Sequence, residues 1–286
     1  MPRRAADMAE SGAAIRAIHD ETTQVAPAEV GEESNSGVKS ARRTIDLLET
    51  FAANPAWTSL ADLHARTGFP RSSLHGLLRT LRDAGWIETD TGGTRFRLGV
   101  RALICGTAYV DRDPAMPHAT EALERVREQT GYTAHYARLS GAQVVYLETR
   151  ESRHSHHLVS RVGRTLPAYA TSLGKALLSE LTEDELTTLL PAQLPPLTEN
   201  TIASRDLLRD QLTAVRERGY AFEHEEGTHG VACVAAVIPY RIPATDALSV
   251  SMPAGQATEA EVGRIGELLA GVADELSQRL RRAGIR

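Results

Sequence analysis

Ser172-Leu173-Gly174-Lys175 forms an S-x-x-K pattern, in which a lysine three residues on can help remove the proton of an attacking serine hydroxyl. The S-D-N and K-T-G elements that accompany it in serine acyltransferases are missing from the sequence, and the glycine spacing of a phosphate-cradling loop is not met at Gly174-Lys175. Cys233 near a histidine could make a thiol nucleophile, but it stands inside an apolar run, where cysteine is usually a small buried hydrophobe. A hydrolase or acyltransferase using Ser172 and Lys175, or Cys233, is therefore the alternative reading only, and no catalytic residue is assigned. His154, His156 and His157, with His224 and His229 beyond them, could meet a metal ion. No cysteine or well-spaced carboxylate completes a tetrahedral set, so they read as a surface loop, with neither metal nor other cofactor expected.

Residues 71–84 offer a different chemistry, contact with nucleic acid. Leu74, Leu77, Leu78 and Leu81 fall at i, i+3, i+4 and i+7 and make one apolar helical stripe. Ser72, His75, Gly76 and Arg79 point the other way, flanked by Arg71 and Arg82, as on a helix laid in a major groove. Arg79, His75 and Ser72 are the candidate base readers; Arg71 and Ser73 would hold the phosphate backbone. Gly76 costs such a helix about 1 kcal/mol relative to alanine, which is acceptable where DNA comes close.

The elements needed to position that helix are present on both sides of it. Ser59 and Asp62 have the spacing of a capping box for a first helix that Gly68 ends, and Pro70 opens the second. Ser40 is expected to cap a scaffold helix with Ile45, Leu48 and Ala52 on one face. Residues 86–90 and 95–98 alternate as strands around a Thr91-Gly92-Gly93-Thr94 turn, and put Arg95 and Arg97 on one face of a basic wing. The unit reads as a winged helix-turn-helix over residues 37–98. A first domain serving only to dimerise fits poorly with the wing arginines and with the charge. Residues 37–112 hold 11 Lys and Arg against 7 Asp and Glu, while the whole chain carries −5.

Length favours two domains plus tails. Residues 1–36 are acidic and aperiodic, and read as a disordered arm. Residues 99–113 read as a linker helix with Leu103, Ile104, Thr107 and Ala108 turned inward; Leu103, Ile104 and Ala108 suit either an oligomer seam or packing on their own domain. Residues 114–286 alternate helices and short strands, including one near residues 157–161 and a helix over 170–181. The fold class is α+β: the winged unit, the linker, and a C-terminal α/β domain with a mainly antiparallel sheet. No run approaches the roughly 18 apolar residues of a membrane span, and two cysteines give no disulfide framework, so a cytoplasmic protein without a membrane partner is expected.

From about Val38 to the last helix the chain resembles the IclR family of bacterial transcription regulators. The match is carried in order by residues 70–75, 96–99 and 145–147, then Gly163-Arg164 with Leu166-Pro167, then 170–176, 216–220, 230–233 and 248–251. The resemblance implies an effector-binding C-terminal domain and a homo-oligomer, dimer or tetramer, acting on double-stranded operator DNA. It also implies that Glu223, Val231, Cys233, Ser249 and Ser251, with the backbone at Ala170, Thr171, Ser172 and Leu173, line the effector pocket. No Lys or Arg falls among these, so an effector carboxylate would meet free N–H groups at the start of the helix expected from Ala170. Glu223 would repel that carboxylate unless protonated, or would accept from a hydroxyl, which favours small hydroxy or sugar acids. The sequence departs from the family pattern in its acidic arm, in Gly76 where arginine is frequent, and in Met252 after the second serine.

Overall fold

The computed structural model describes residues 37–54, 56–152 and 162–286. The expected arm over 1–36, the strand near 157–161 and the cluster His154, His156 and His157 lie outside the described residues. Contacts divide the chain at Arg112 and Asp113 into two units. No helix among the described residues is long and apolar enough to cross a membrane.

The first unit opens with α1 (Lys39–Ala52), whose Leu47 and Phe51 are buried. Its N-cap is Val38 rather than Ser40. Ser40 already lies within the helical turn, and its carbonyl accepts the Thr44 hydroxyl at 2.8 Å. A two-residue strand, β1 (Thr58–Ser59), leads into α2 (Leu60–Thr67). The capping box forms there: Asp62 N donates to Ser59 Oγ at 3.2 Å and Ser59 N to Asp62 Oδ2 at 3.1 Å. Gly68 closes α2 at φ 65°, a left-handed conformation that suits glycine. Then come α3 (Arg71–Asp83), β2 (Ile87–Thr89) and β3 (Arg95–Leu98), with sheet order β1-β3-β2. Leu47, Phe51, Leu63, Leu74, Leu78, Leu81 and Ile87 make one core beneath α3. The last element, α4 (Val100–Asp111), buries no residue. Leu103 and Ile104 are 65% and 60% exposed, so the inward packing expected of this helix does not occur within the chain.

The second unit is a six-stranded antiparallel sheet. Its strands are β4 (Thr133–Ser140), β5 (Gln143–Arg150), β6 (Thr165–Pro167), β7 (Ala221–His224), β8 (Val231–Val237) and β9 (Asp246–Pro253), in the order β6-β5-β4-β9-β8-β7. Alternation along each strand sends Ala137, Tyr146, Ala235 and Ala247 into a core with α6 (Ser172–Leu178), α7 (Glu183–Leu189) and α8 (Arg205–Arg218). α5 (Met116–Thr130) and α9 (Glu259–Arg282) pack on each other and on the central strands β4, β9 and β8.

The helix expected over 170–181 is shorter and differently started. A 3-10 turn at Ala168–Ala170 precedes Thr171, which caps α6 by accepting from Gly174 N at 3.0 Å. The crowding explains the break: a Cβ on Gly174 would lie 2.0 Å from the Ala168 carbonyl oxygen. Only glycine lets the turn fold back on the helix so closely.

At one end of β4 and β9, Arg138 donates to the Asp246 carboxylate at 2.6 Å from Nε and 2.8 Å from Nη2. Tyr136 also donates to it at 2.6 Å, and Tyr240 joins them. Arg138 reaches Asp113, where the described residues of this unit begin, at 2.8 Å as well. Arg138, Tyr136 and Tyr240 thus close around one wholly buried carboxylate.

Candidate functional site

On the first unit, α3 divides as its apolar stripe requires. Leu74, Leu78 and Leu81 are buried and Leu77 half-buried, while Arg71, Ser72, His75, Gly76 and Arg79 are exposed. Among the described residues, no ion pair occupies Arg71 or Arg79. A Cβ on Gly76 would meet nothing within 4 Å, so nothing within the chain requires glycine there. Ser73 differs from its neighbours. It is half-buried and its hydroxyl accepts from Arg43 Nη1 at 3.1 Å, with the Arg43 guanidinium 5.1 Å from the centre of the Phe69 ring. That arrangement braces α3 against α1, and was not legible in the spacing of either helix.

In the wing, Asp90 accepts from the N–H groups of Thr94 and Arg95 at 2.8 and 3.0 Å, which fixes the turn and holds its carboxyl below the usual range. Arg95 is exposed. Arg97 donates to Glu88 Oε2 from Nε at 3.1 Å and Nη2 at 2.8 Å, and its guanidinium stands 4.4 Å from the centre of the Trp57 ring. The wing arginine is thus pre-oriented by a carboxylate and an indole, which restricts its rotamers without burying its charge. Trp57 was missed because only the pairing of Thr58 with Phe96 brings it to the wing.

On the second unit, the expected pocket residues of β7, β8 and β9 come together. Cys233 is the register partner of both Ser251 and Glu223, and Ser249 is the partner of Ala235 on the next row. Cys233 Sγ lies 3.2 Å from Ser251 Oγ. Val231 sits at the strand end, half-buried opposite Pro253. Ala170, Thr171, Ser172 and Leu173 are buried in the layer that covers this face. Burial pushes the Glu223 carboxyl up to about 7, against hydrogen bonds from Cys233 and the Glu226 N–H that favour the charged form.

Several neighbours escaped the sequence reading. His135 on β4 is the partner of both Ser249 and Thr149, and Tyr146 stands edge-on to it at 5.3 Å. Burial, reinforced by the Arg164 charge, pulls the His135 imidazole down to about 3, so the ring is neutral. His135 reaches this row through the pairing of β4 with β9, which joins segments too far apart for local spacing to reveal.

The same geometry disposes of the nucleophile candidates. Lys175 is wholly buried; its ammonium donates to the Glu226 carboxylate and to Gln211 Oε1, the latter at 2.6 Å. Burial lowers its pKa, opposed by Glu226. The Cys233 thiol is driven well up by burial and by the nearby Glu223 charge, the opposite of an activated thiolate. The expected anion site is also altered, since α6 starts at Ser172 and the Gly174 N–H is already taken by Thr171. Among the described residues no group of three His, Cys, Asp or Glu could hold a metal ion.

Comparison with known proteins adds the lineage. A model described as the IclR helix-turn-helix domain matches residues 40–91, and one described as the bacterial transcriptional regulator IclR C-terminal matches 107–278. The HTH-type transcriptional regulator XynR of Escherichia coli is 33% identical over 234 residues, covering 81% of this chain and 93% of that protein. The solved IclR structure from Thermotoga maritima is similar at 26% identity and TM-score 0.63, over 84% of this chain and 98% of that one. An IclR homologue from Microbacterium hydrocarbonoxydans, solved with 4-hydroxybenzoate, shares the fold at 24% identity and TM-score 0.69, over 85% and 99% of the two chains.

Proposed function

Because the chain belongs to the IclR family of bacterial transcription regulators, we propose that it binds a short pseudo-palindromic operator, with a small organic acid in its second unit controlling that binding. The observation that carries the reading is the outer face of α3, where Arg71, Ser72, His75 and Arg79 stand exposed over a leucine-lined core. Arg79, His75 and Ser72 read base edges beside Gly76, and Arg71 with the wing residues Arg95 and Arg97 holds phosphates. Ser73 acts chiefly through Arg43, to which it is already bonded.

One winged unit makes few phosphate contacts and is weak at physiological salt, so the regulator works as an even homo-oligomer. The exposed Leu103 and Ile104 on α4 support a seam there. The effector site is the polar row of buried Glu223, half-buried Cys233, buried Ser251 and its neighbour Ser249, under Ala170, Thr171, Ser172 and Leu173, with Val231 at its rim. A hydroxy acid suits Glu223, which accepts from a hydroxyl when ionised and tolerates a carboxylate when protonated. 4-Hydroxybenzoate, held by the Microbacterium protein, is a reasonable first probe.

The test selects operators from random DNA, then measures affinity with and without a panel of hydroxy and sugar acids that includes 4-hydroxybenzoate. A hit should raise the melting temperature of the wild type, do so less for Ser249→Ala and Glu223→Ala, and change operator affinity. Equal stabilisation of all three proteins moves the pocket elsewhere, and unchanged operator affinity removes the sensing role.

A further inference from the structure

Five neighbouring strands each contribute one polar side chain to a continuous line, buried at His135, Ser251 and Glu223 and half-buried at Thr149 and Cys233. His135 Nδ1 lies 3.1 Å from Thr149 Oγ1, and Nε2 lies 3.1 Å from Ser251 Oγ. Ser251 Oγ lies 3.2 Å from Cys233 Sγ, and Cys233 stands directly opposite Glu223 in the β7–β8 ladder, its thiol facing the carboxylate. That carboxylate also accepts the Glu226 N–H at 2.8 Å.

We propose that Thr149, His135, Ser251, Cys233 and Glu223 form one proton-ordered chain whose direction is set by the proton on Glu223, making His135 a specificity-determining residue of the ligand site. The role in ligand selection rests on the effector reading above; the ordering of the chain does not.

The argument is a count of hydrogens. A neutral imidazole has one donor and one acceptor nitrogen, and a hydroxyl or thiol has one hydrogen to give. An ionised Glu223 only accepts. Cys233 then donates to Glu223, Ser251 to Cys233, and His135 Nε2–H to Ser251, leaving Nδ1 to accept from Thr149. When Glu223 is protonated, one oxygen still accepts the Glu226 N–H and its O–H turns to Cys233. Every link then reverses, and the imidazole carries its hydrogen on Nδ1.

The consequence for a ligand follows from Ser251. In both directions its hydrogen is committed to a neighbour, so it shows the site a lone pair and accepts from a ligand hydroxyl. A ligand carboxylate takes the Ser251 hydrogen only when His135 and Cys233 both donate to Ser251, and the Cys233 sulfur must then accept from a protonated Glu223. Starting from ionised Glu223, an anion therefore enters together with a proton, whereas a hydroxyl enters without one.

The surroundings keep both directions accessible near neutral pH. The charged and titratable groups around Glu223 are Glu226 in the following turn, Lys175 on α6, Cys233 on β8 and Tyr146 on β5. Lys175 is hydrogen-bonded to Glu226 and Gln211, and the Glu226 charge raises the Glu223 pKa more than the Lys175 charge lowers it. Tyr146 and the Arg164 charge face His135, and both it and the Tyr146 phenol stay neutral through burial.

The test is nitrogen NMR of the ligand-free full-length protein labelled at histidine, with the His135 signals identified by their loss in His135→Asn. The expected result in the wild type is hydrogen on Nε2 at about pH 9 and on Nδ1 at about pH 6, bracketing the Glu223 transition. Glu223→Gln, whose amide oxygen accepts from Glu226 while its NH2 donates to Cys233, should hold the Nδ1 form at both. Cys233→Ala should leave the tautomer indifferent to pH. A wild-type tautomer that is the same at both pH values, or an imidazole that becomes doubly protonated, overturns the proposal without need of any variant. Since no ligand is used, a tautomer that switches in a protein stabilised by no acid keeps the chain and discards the effector pocket.

Discussion

Arg138 on β4 and Asp246 on β9 are locked in a two-point hydrogen bond around a carboxylate with no exposed surface. Burial alone would raise the Asp246 pKa; the hydrogen bonds and charge of Arg138, helped by Tyr136 and Tyr240, outweigh it and hold the carboxyl below its usual value. The carboxylate form therefore stabilises the fold. That contribution is fully present above the unfolded pKa of about 3.9 and is lost as pH falls through the lower folded value. Asp246→Ala removes the two-point partner of Arg138, which keeps its contact to Asp113, and should cost about 1.5–3 kcal/mol in urea unfolding, the range of hydrogen bonds to a charged group. The variant should also lose the part of the acid-induced destabilisation that the wild type owes to this group.

Lys175 and Glu226 form another buried ion pair. Lys175→Met should destabilise the protein by about 3–5 kcal/mol because it strands the Glu226 charge, and Lys175→Met combined with Glu226→Gln should recover most of that loss. Additive losses in the double variant would show that the two side chains are not coupled.

Arg79→Ala should relax preference at one base pair of the operator by about 1–3 kcal/mol. Arg97→Ala should weaken binding to all sequences alike and flatten the salt dependence. Trp57→Phe should reproduce a weaker version of the Arg97 effect, since the indole orients that guanidinium. Fluorescence anisotropy on operator and random duplexes separates these outcomes, and equal effects of Arg79→Ala on both duplexes would remove its base-reading role.

Leu103 and Ile104 lie exposed on α4 and are not part of either core. On the proposed seam, the wild type should sediment as an even oligomer and Leu103→Glu with Ile104→Glu as a monomer, while the melting temperature of the second unit stays unchanged. An assembly state identical to the wild type would place the seam elsewhere.

What could be read in the sequence follows the range of the interactions concerned. The α3 stripe, the Ser59 and Asp62 capping box and the Gly68 stop are set by residues within one helical turn, and periodicity exposes them directly. The fold class was legible for the same reason. The start of α6 was not, because it depends on how the Ala168 turn packs against Gly174. His135 and Arg138 were invisible as partners of Ser251 and Asp246, since β4 and β9 pair across more than a hundred residues. Cys233, Ser249, Ser251 and Glu223 were named through resemblance; alternation alone could assign them faces but not neighbours.

The β4 and β9 pairing gives the two ends of the second unit a mechanical relation. Ser251 and His135 stand toward one end of this strand pair, and Asp246 and Arg138 stand at the other, gripping Asp113 where the chain arrives from α4. At about 3.3 Å per residue, five residues of β9 make a strut of roughly 17 Å. Because hydrogen bonds to β4 and β8 hold β9 along both edges, sliding it would break a whole ladder, while tilting it would not. A load applied at Ser251 would therefore meet a stiff lever rather than a sliding rod, with Asp246 and the Arg138 contact to Asp113 at its far end.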